Sequence, residues 1–253
     1  MVKNAMWLRS EEEIIKRIVA NRTALANSVS FALNSAFPYP EHQFANDVLV
    51  SVNVPRAHLG LDPEQKPGDI DLLLIPFNDY RYHFERSVAI EVKVLRPTIA
   101  KPSRNVNSMG FKQASGLLRD GFPVVGLLHI AVPEETPAEF CWDVPVIANN
   151  LGPYGELVET GERVAMDPFP IITAQRQEGR INALDLPMEA GFNSIGLNLS
   201  PDGEGFSGGT MGFDKMGKIN PQVSQELLEA IEAYLINNRE RFSEVRWFDK
   251  GGR

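Results

Sequence analysis

The chain has 253 residues, with 25 Lys and Arg against 33 Asp and Glu, a formal charge of −8 and a pI of about 5.1. Its hydrophobic fraction of 43% and charged fraction of 23% are those of an ordinary globular protein, which excludes disordered, collagen-like and coiled-coil classes. The acidity argues against a protein that coats nucleic acid nonspecifically, but leaves room for a local basic site.

The first predicted element is a helix from about Ser10 to Ala36, opened by a Ser10–Glu13 capping box and carried by Ile14, Ile15, Ile18, Leu25, Val29 and Leu33 at helical spacing. Pro38 and Pro40 end it. Asp47–Val54 alternates as a strand, and a polar loop leads to a second strand over Asp69–Ile75. Asn78–Arg86 reads as a hairpin tip, and Ser87–Leu95 as a third strand. Residues 97–108 read as a loop, followed by a helix over Met109–Asp120 that Gly121 closes. Pro123–Val132 is almost wholly apolar and reads as a buried fourth strand. This longest apolar run is about half of a membrane span.

Beyond Pro133 the pattern weakens. Phe140–Ala148, Pro170–Ala174, Ile181–Leu186 and Ser194–Leu199 have strand-like composition, the glycines over 203–217 suggest a loop, and a last helix is expected over about Gln222–Phe242. The simplest organisation is a core over 1–132 with a C-terminal elaboration over 133–253 packed on it. The N-terminal residues lack the apolar core of a signal peptide, and the single Cys141 cannot form an intrachain disulfide, so a cytoplasmic, membrane-free protein is expected.

The chemistry concentrates in Gly68-Asp69-Ile70-Asp71 and Ile90-Glu91-Val92-Lys93. Residues two apart on a strand share a face, so Glu91 and Lys93 point one way while Ile90 and Val92 point the other. Pairing of the second and third strands would bring Asp71 towards Glu91. Two close carboxylates in an apolar setting call for a raised pKa or a divalent cation, and oxygen ligands suit Mg²⁺ or Mn²⁺. Lys93 beside them could orient an attacking water or balance charge on phosphoryl oxygens.

These two motifs, on successive predicted strands, resemble the PD-(D/E)XK nuclease superfamily, and the Gly-Asp-Ile-Asp form is similar to that of Holliday-junction resolvases. The resemblance covers about residues 10–132. It implies an α/β restriction-endonuclease-like core of helix, three strands, helix and strand, with a mixed central sheet flanked by helices. It further implies metal ligation by Asp71, Glu91 and the Val92 carbonyl, catalysis by Lys93, and an assisting Gln113 on the following helix. Relatives that add an acid from the first helix make Glu12 or Glu13 candidates. The expected activity is Mg²⁺-dependent hydrolysis of DNA, endonucleolytic in the first instance, with RNA left open and a homodimer common among such enzymes. The alternative is a nuclease-fold protein that binds nucleic acid or assembles without cleaving.

Charge adds a separate indication. From Val92 to Arg119 there are six basic residues and no acid. Beyond Lys93 these are Arg96, Lys101, Arg104, Lys112 and Arg119, the expected phosphate-backbone contacts. The four histidines show no metal-ligand spacing, and a single cysteine argues against zinc.

Overall fold

Ser10 caps α1 (Glu11–Ala20) through a reciprocal pair of bonds: its hydroxyl accepts from the Glu13 amide, and its own amide donates to the Glu13 carboxylate. The single long helix expected from periodicity is in fact two. Asn21 ends α1 in an extended conformation, and its side chain accepts from the Ala24 amide to start α2 (Arg22–Ala36). An Asx cap inside an otherwise continuous apolar stripe turns the chain without breaking the stripe. The computed structural model describes residues 9–37, 47–65, 68–78, 81–102, 109–151, 157–197 and 212–246.

The fold is α/β, with a mixed sheet flanked by helices. Its strands are β1 (Asp47–Val54), β2 (Ile70–Asn78), the short β3 (Arg81–Tyr82), β4 (Val88–Leu95), β5 (Val124–Ala131), β8 (Ala190–Gly196), β9 (Gly212–Lys215) and β10 (Phe242–Arg246). They lie in the order β10-β1-β2-β4-β5-β8-β9, with β3 beside β2. β4, β5 and β8 are mutually parallel, and the other neighbours are antiparallel. Between β4 and β5 runs α3 (Phe111–Asp120), the crossover that a parallel pair requires. One sheet therefore draws strands from both halves of the chain.

Alternation along the strands divides the core in two. Val48, Val50, Leu72, Leu74, Ile90, Val92 and Leu128 pack against α1 and α2. Leu49, Leu73, Ala89, Val125 and Leu127 face α3, α4 (Phe169–Ala183) and α5 (Gln225–Asn237). Under the second face, Arg56 is 1% exposed and its guanidinium donates to both Asp120 oxygens at 2.7 and 3.1 Å, while its Nε donates to the Asp62 carbonyl. That fork ties the loop after β1 to the end of α3.

The C-terminal half departs most from expectation. Pro170–Ala174 and Ile181–Leu186 are not strands; α4 runs through Ala183, with Phe169, Thr173, Gln177 and Ile181 buried four apart. The local Ile-Ile-Thr composition favours a strand, but spacing on the packed face decides. The last helix starts at Ser224, whose hydroxyl accepts from the Leu227 amide, and stops at Asn237. Phe242 opens β10 instead of closing a helix. The strand expected over Phe140–Ala148 is β6 (Trp142–Leu151), paired with an unexpected β7 (Leu157–Met166) in a separate two-stranded sheet. Most of the glycine-rich stretch, and residues 103–108 of the expected 97–108 loop, lie outside the described residues.

Candidate active site

The β2–β4 ladder pairs Leu74 with Val88, Leu73 with Ala89 and Leu72 with Ile90, then stops. The next residues along each strand are Asp71 and Glu91. Instead of a further ladder bond, the Val92 amide donates to Asp71 Oδ2 at 2.7 Å. Two residues on, the Val94 amide donates to Glu11 Oε2 at 2.9 Å, a carboxylate delivered by the first turn of α1. The strands thus part at the residues singled out in the sequence, and two carboxylates take over the freed β4 amides. In a strand a residue's N–H and C=O project to the same edge, which turns the Val92 carbonyl to the same gap.

Glu91 and Lys93 share the α3 side of β4. Their side chains form an ion pair of 2.5 Å, and Glu91 is 4% exposed. Burial, reinforced by Glu91, pushes the Asp71 carboxyl up to about 7, against the Val92 amide and Lys93. Burial also raises Glu91, opposed by Lys93. For Lys93 burial works against the ammonium, yet Glu91 and then Asp71 outweigh it and hold its pKa above the usual lysine value. Glu11 adds negative potential at all three groups. Glu91 pairs with the Lys93 amine, Asp71 bears on both, Glu11 stands at the β4 edge, and the acids' ligating atoms are all hard oxygens.

The first-helix acid at this centre is Glu11, not Glu12 or Glu13. Glu12 pairs with Lys16 at 2.5 Å one turn along α1, and Glu13 is committed to the capping box. Three consecutive glutamates left the choice to the phase of α1 against β4, which the sequence does not carry. Asp69 is turned away, accepting from the Arg56 amide. Gln113 lies half-buried in the first turn of α3. Of the proposed backbone contacts, Lys101, Lys112 and Arg119 are exposed. Arg96 is instead half-buried and donates to the Arg9 carbonyl at 2.7 Å, holding the entry to α1. Arg104 lies outside the described residues.

Two further residues shape the site. His129 lies opposite Lys93 on β5 and is fully buried. Burial pushes its pKa down to about 4, so the ring is neutral at pH 7 and Nε2–H donates to the Met109 carbonyl at 2.7 Å. That bond anchors the turn into α3, where Met109 and Gly110 both have positive φ, 50° and 76°. A Cβ on Gly110 would stand 2.4 Å from Leu127 Cδ1, 3.3 Å from Lys93 Cγ and 3.5 Å from Glu91 Cγ. Only a bare backbone can come this close. Parallel pairing would have placed His129 beside Lys93, but the register between the two strands is not written in either.

Among the described residues no three His, Cys, Asp or Glu side chains converge closely enough to form a metal cluster on their own. No helix among them is long and apolar enough to cross a membrane. No protein-family model, curated protein or solved structure matches the chain.

Proposed function

We propose that this chain is a metal-dependent nuclease of the PD-(D/E)XK type, with a restriction-endonuclease-like core, hydrolysing phosphodiester bonds in DNA. The observation that carries the reading is the meeting of Asp71, Glu91 and Lys93 where β2 and β4 part. Asp71, Glu91 and the Val92 carbonyl would hold Mg²⁺ or Mn²⁺, and this all-oxygen set fits either ion. Such a cation supplies Lewis-acid polarisation of the scissile phosphate. Lys93 orients the attacking water and offsets charge on the phosphoryl oxygens as the new P–O bond forms and the ester P–O bond breaks. Glu11 holds the β4 edge through Val94, and His129 fixes the turn that packs Gly110 against Glu91 and Lys93.

A second reading, a nucleic-acid-binding protein that does not cleave, is favoured by the partners the acids already have: Lys93 for Glu91 and the Val92 amide for Asp71. One experiment decides between them. Circular and linear, single- and double-stranded DNA are incubated with the protein in Mg²⁺, Mn²⁺ or EDTA, beside Lys93→Ala. Cleavage by the wild type only with a cation, reduced at least about 100-fold in Lys93→Ala, supports the nuclease. No cleavage of any substrate, or undiminished cleavage by Lys93→Ala, overturns it.

A further inference from the structure

Among the described residues, His129 Nδ1, Ser194 Oγ, Thr173 Oγ1 and Gln177 Oε1 are buried without a hydrogen-bond partner. The four side chains are 0%, 0%, 1% and 1% exposed. They are not scattered. Lys93, His129 and Ser194 stand in one row across β4, β5 and β8. Ser194 shares its face with Phe192 and Ala190, and His129 shares its face with Leu127, all in the second core. α4 connects β5 to β8 across that face and starts against the end of β8, where a Cβ on Gly196 would stand 2.5 Å from the Pro170 carbonyl carbon. A helix rises about 1.5 Å per residue and a strand about 3.3 Å. Thr173, about 4–5 Å along α4 from Pro170, therefore comes near the level of Ser194, about 6–7 Å along β8 from Gly196. Gln177 follows one turn later, towards Phe192, whose ring meets the His129 imidazole edge-on with centroids 5.1 Å apart.

The four atoms are chemically complementary to water. His129 Nε2–H is committed to the Met109 carbonyl, which leaves Nδ1 of the neutral ring a bare acceptor. Gln177 Oε1 is a second acceptor, and the Ser194 and Thr173 hydroxyls each have a proton to give. A water molecule donates two hydrogen bonds and accepts two, and native interiors meet buried polar groups of this kind with ordered water. We propose that water bound between α4, β5 and β8 donates to His129 Nδ1 and Gln177 Oε1, accepts from Ser194 and Thr173, and holds the imidazole on Met109. Ser194, Thr173 and Gln177 are then positioning residues. They steady His129, His129 steadies the Met109–Gly110 turn, and Gly110 packs on the stems of Glu91 and Lys93. The water bridge is independent of any activity, whereas its bearing on catalysis rests on the nuclease reading.

The sign of two substitutions tests the bridge. Thr173→Val and Ser194→Ala each remove a hydroxyl and leave nearly the same shape. With the bridge in place each should lower Tm by about 2–6 °C, whereas at a dry, unmet hydroxyl the same change raises it. The His129 Nε2 proton, followed by ¹⁵N NMR, should exchange with solvent about tenfold faster or more in Thr173→Val/Ser194→Ala. Thr173→Ser, which keeps the hydroxyl, should exchange at the wild-type rate. A crystal structure of the wild type fine enough to show ordered water should place one within about 2.7–3.2 Å of Nδ1. A rise in Tm for either single variant, no water at Nδ1, or an unchanged exchange rate overturns the bridge. None of these readouts involves DNA, so loss of the bridge leaves the nuclease to its own assay. In a wild type that cleaves, the double variant should lower kcat about threefold or more at unchanged KM. An unchanged kcat, or a wild type that never cleaves, removes the positioning role and leaves the bridge.

Discussion

Burial makes Asp71 costly whenever it is ionised. Its carboxyl titrates near 7 in the fold against an ordinary value of 3.8, so the folded protein holds a proton that the unfolded chain has released. Stability therefore falls as pH rises between about 4 and 7, and the full penalty is present above 7. Asp71→Asn keeps an oxygen for the Val92 amide and removes the charge. It should be more stable than the wild type by about 1–3 kcal/mol at pH 8 and nearly equal to it at pH 4, read by urea unfolding at both pH values. An equal difference at the two pH values would refute the burial of a charged Asp71 as the cause. At this scale the sequence was informative: strand alternation put Glu91 and Lys93 on one face and Val92 on the other. It could not say that Arg96 would turn inward to Arg9, because that depends on where α1 enters the fold.

The elements explain why these residues meet. The β2–β4 ladder is three pairs long and yields at Asp71, whose side chain takes the amide that Ile70 would otherwise have bonded. α3 must then begin close enough to cover Glu91 and Lys93, which Gly110 allows. Gly110→Ala places a methyl group against Leu127 and Lys93 at a φ that L-residues resist, at a cost of about 1–3 kcal/mol. Its Tm should drop by roughly 3–10 °C, and the cleavage proposed above should fall with it because the Lys93 stem is displaced. An unchanged Tm would show that the turn has room to relax. The strand patterns over 47–54 and 87–95 were legible because one or both faces of each are buried in a continuous sheet. β7 was not, because its described side chains are exposed and show no apolar alternation. α4 was misread because its Ile-Ile-Thr run is locally β-prone, while the four-residue spacing that buries Phe169, Thr173, Gln177 and Ile181 is a property of the packed helix.

For the molecule as a whole, charge is sharply segregated. Residues 133–167 hold eight acids and one arginine, −7 of the chain's −8, whereas 92–119 holds six bases and no acid. The acidic stretch includes the β6–β7 hairpin, whose strands pack extensively only on each other among the described elements. Trp142 and Val164 stay about half exposed on it. A two-stranded sheet of this kind contributes little to the stability of the body. Replacing residues 145–163 by an Asn-Gly turn between the paired Val144 and Val164 should therefore leave Tm within about 3 °C of the wild type. A large fall, or loss of cooperative unfolding, would mean that the hairpin helps hold the main sheet.

Up to Ala131 the sequence alone determined the order of the main helices and strands, save for the break at Asn21 and the short β3, the face each core strand presents, and that Asp71, Glu91 and Lys93 stand together, because these follow from periodicities of two and 3.6 residues. Only the tertiary structure decided that Glu11 is the helix acid nearest the centre, that His129 lies beside Lys93, and that β10 returns to pair with β1. Those are matters of register and helix phase between segments far apart in the chain, which are set by packing and leave no local pattern in the residues themselves.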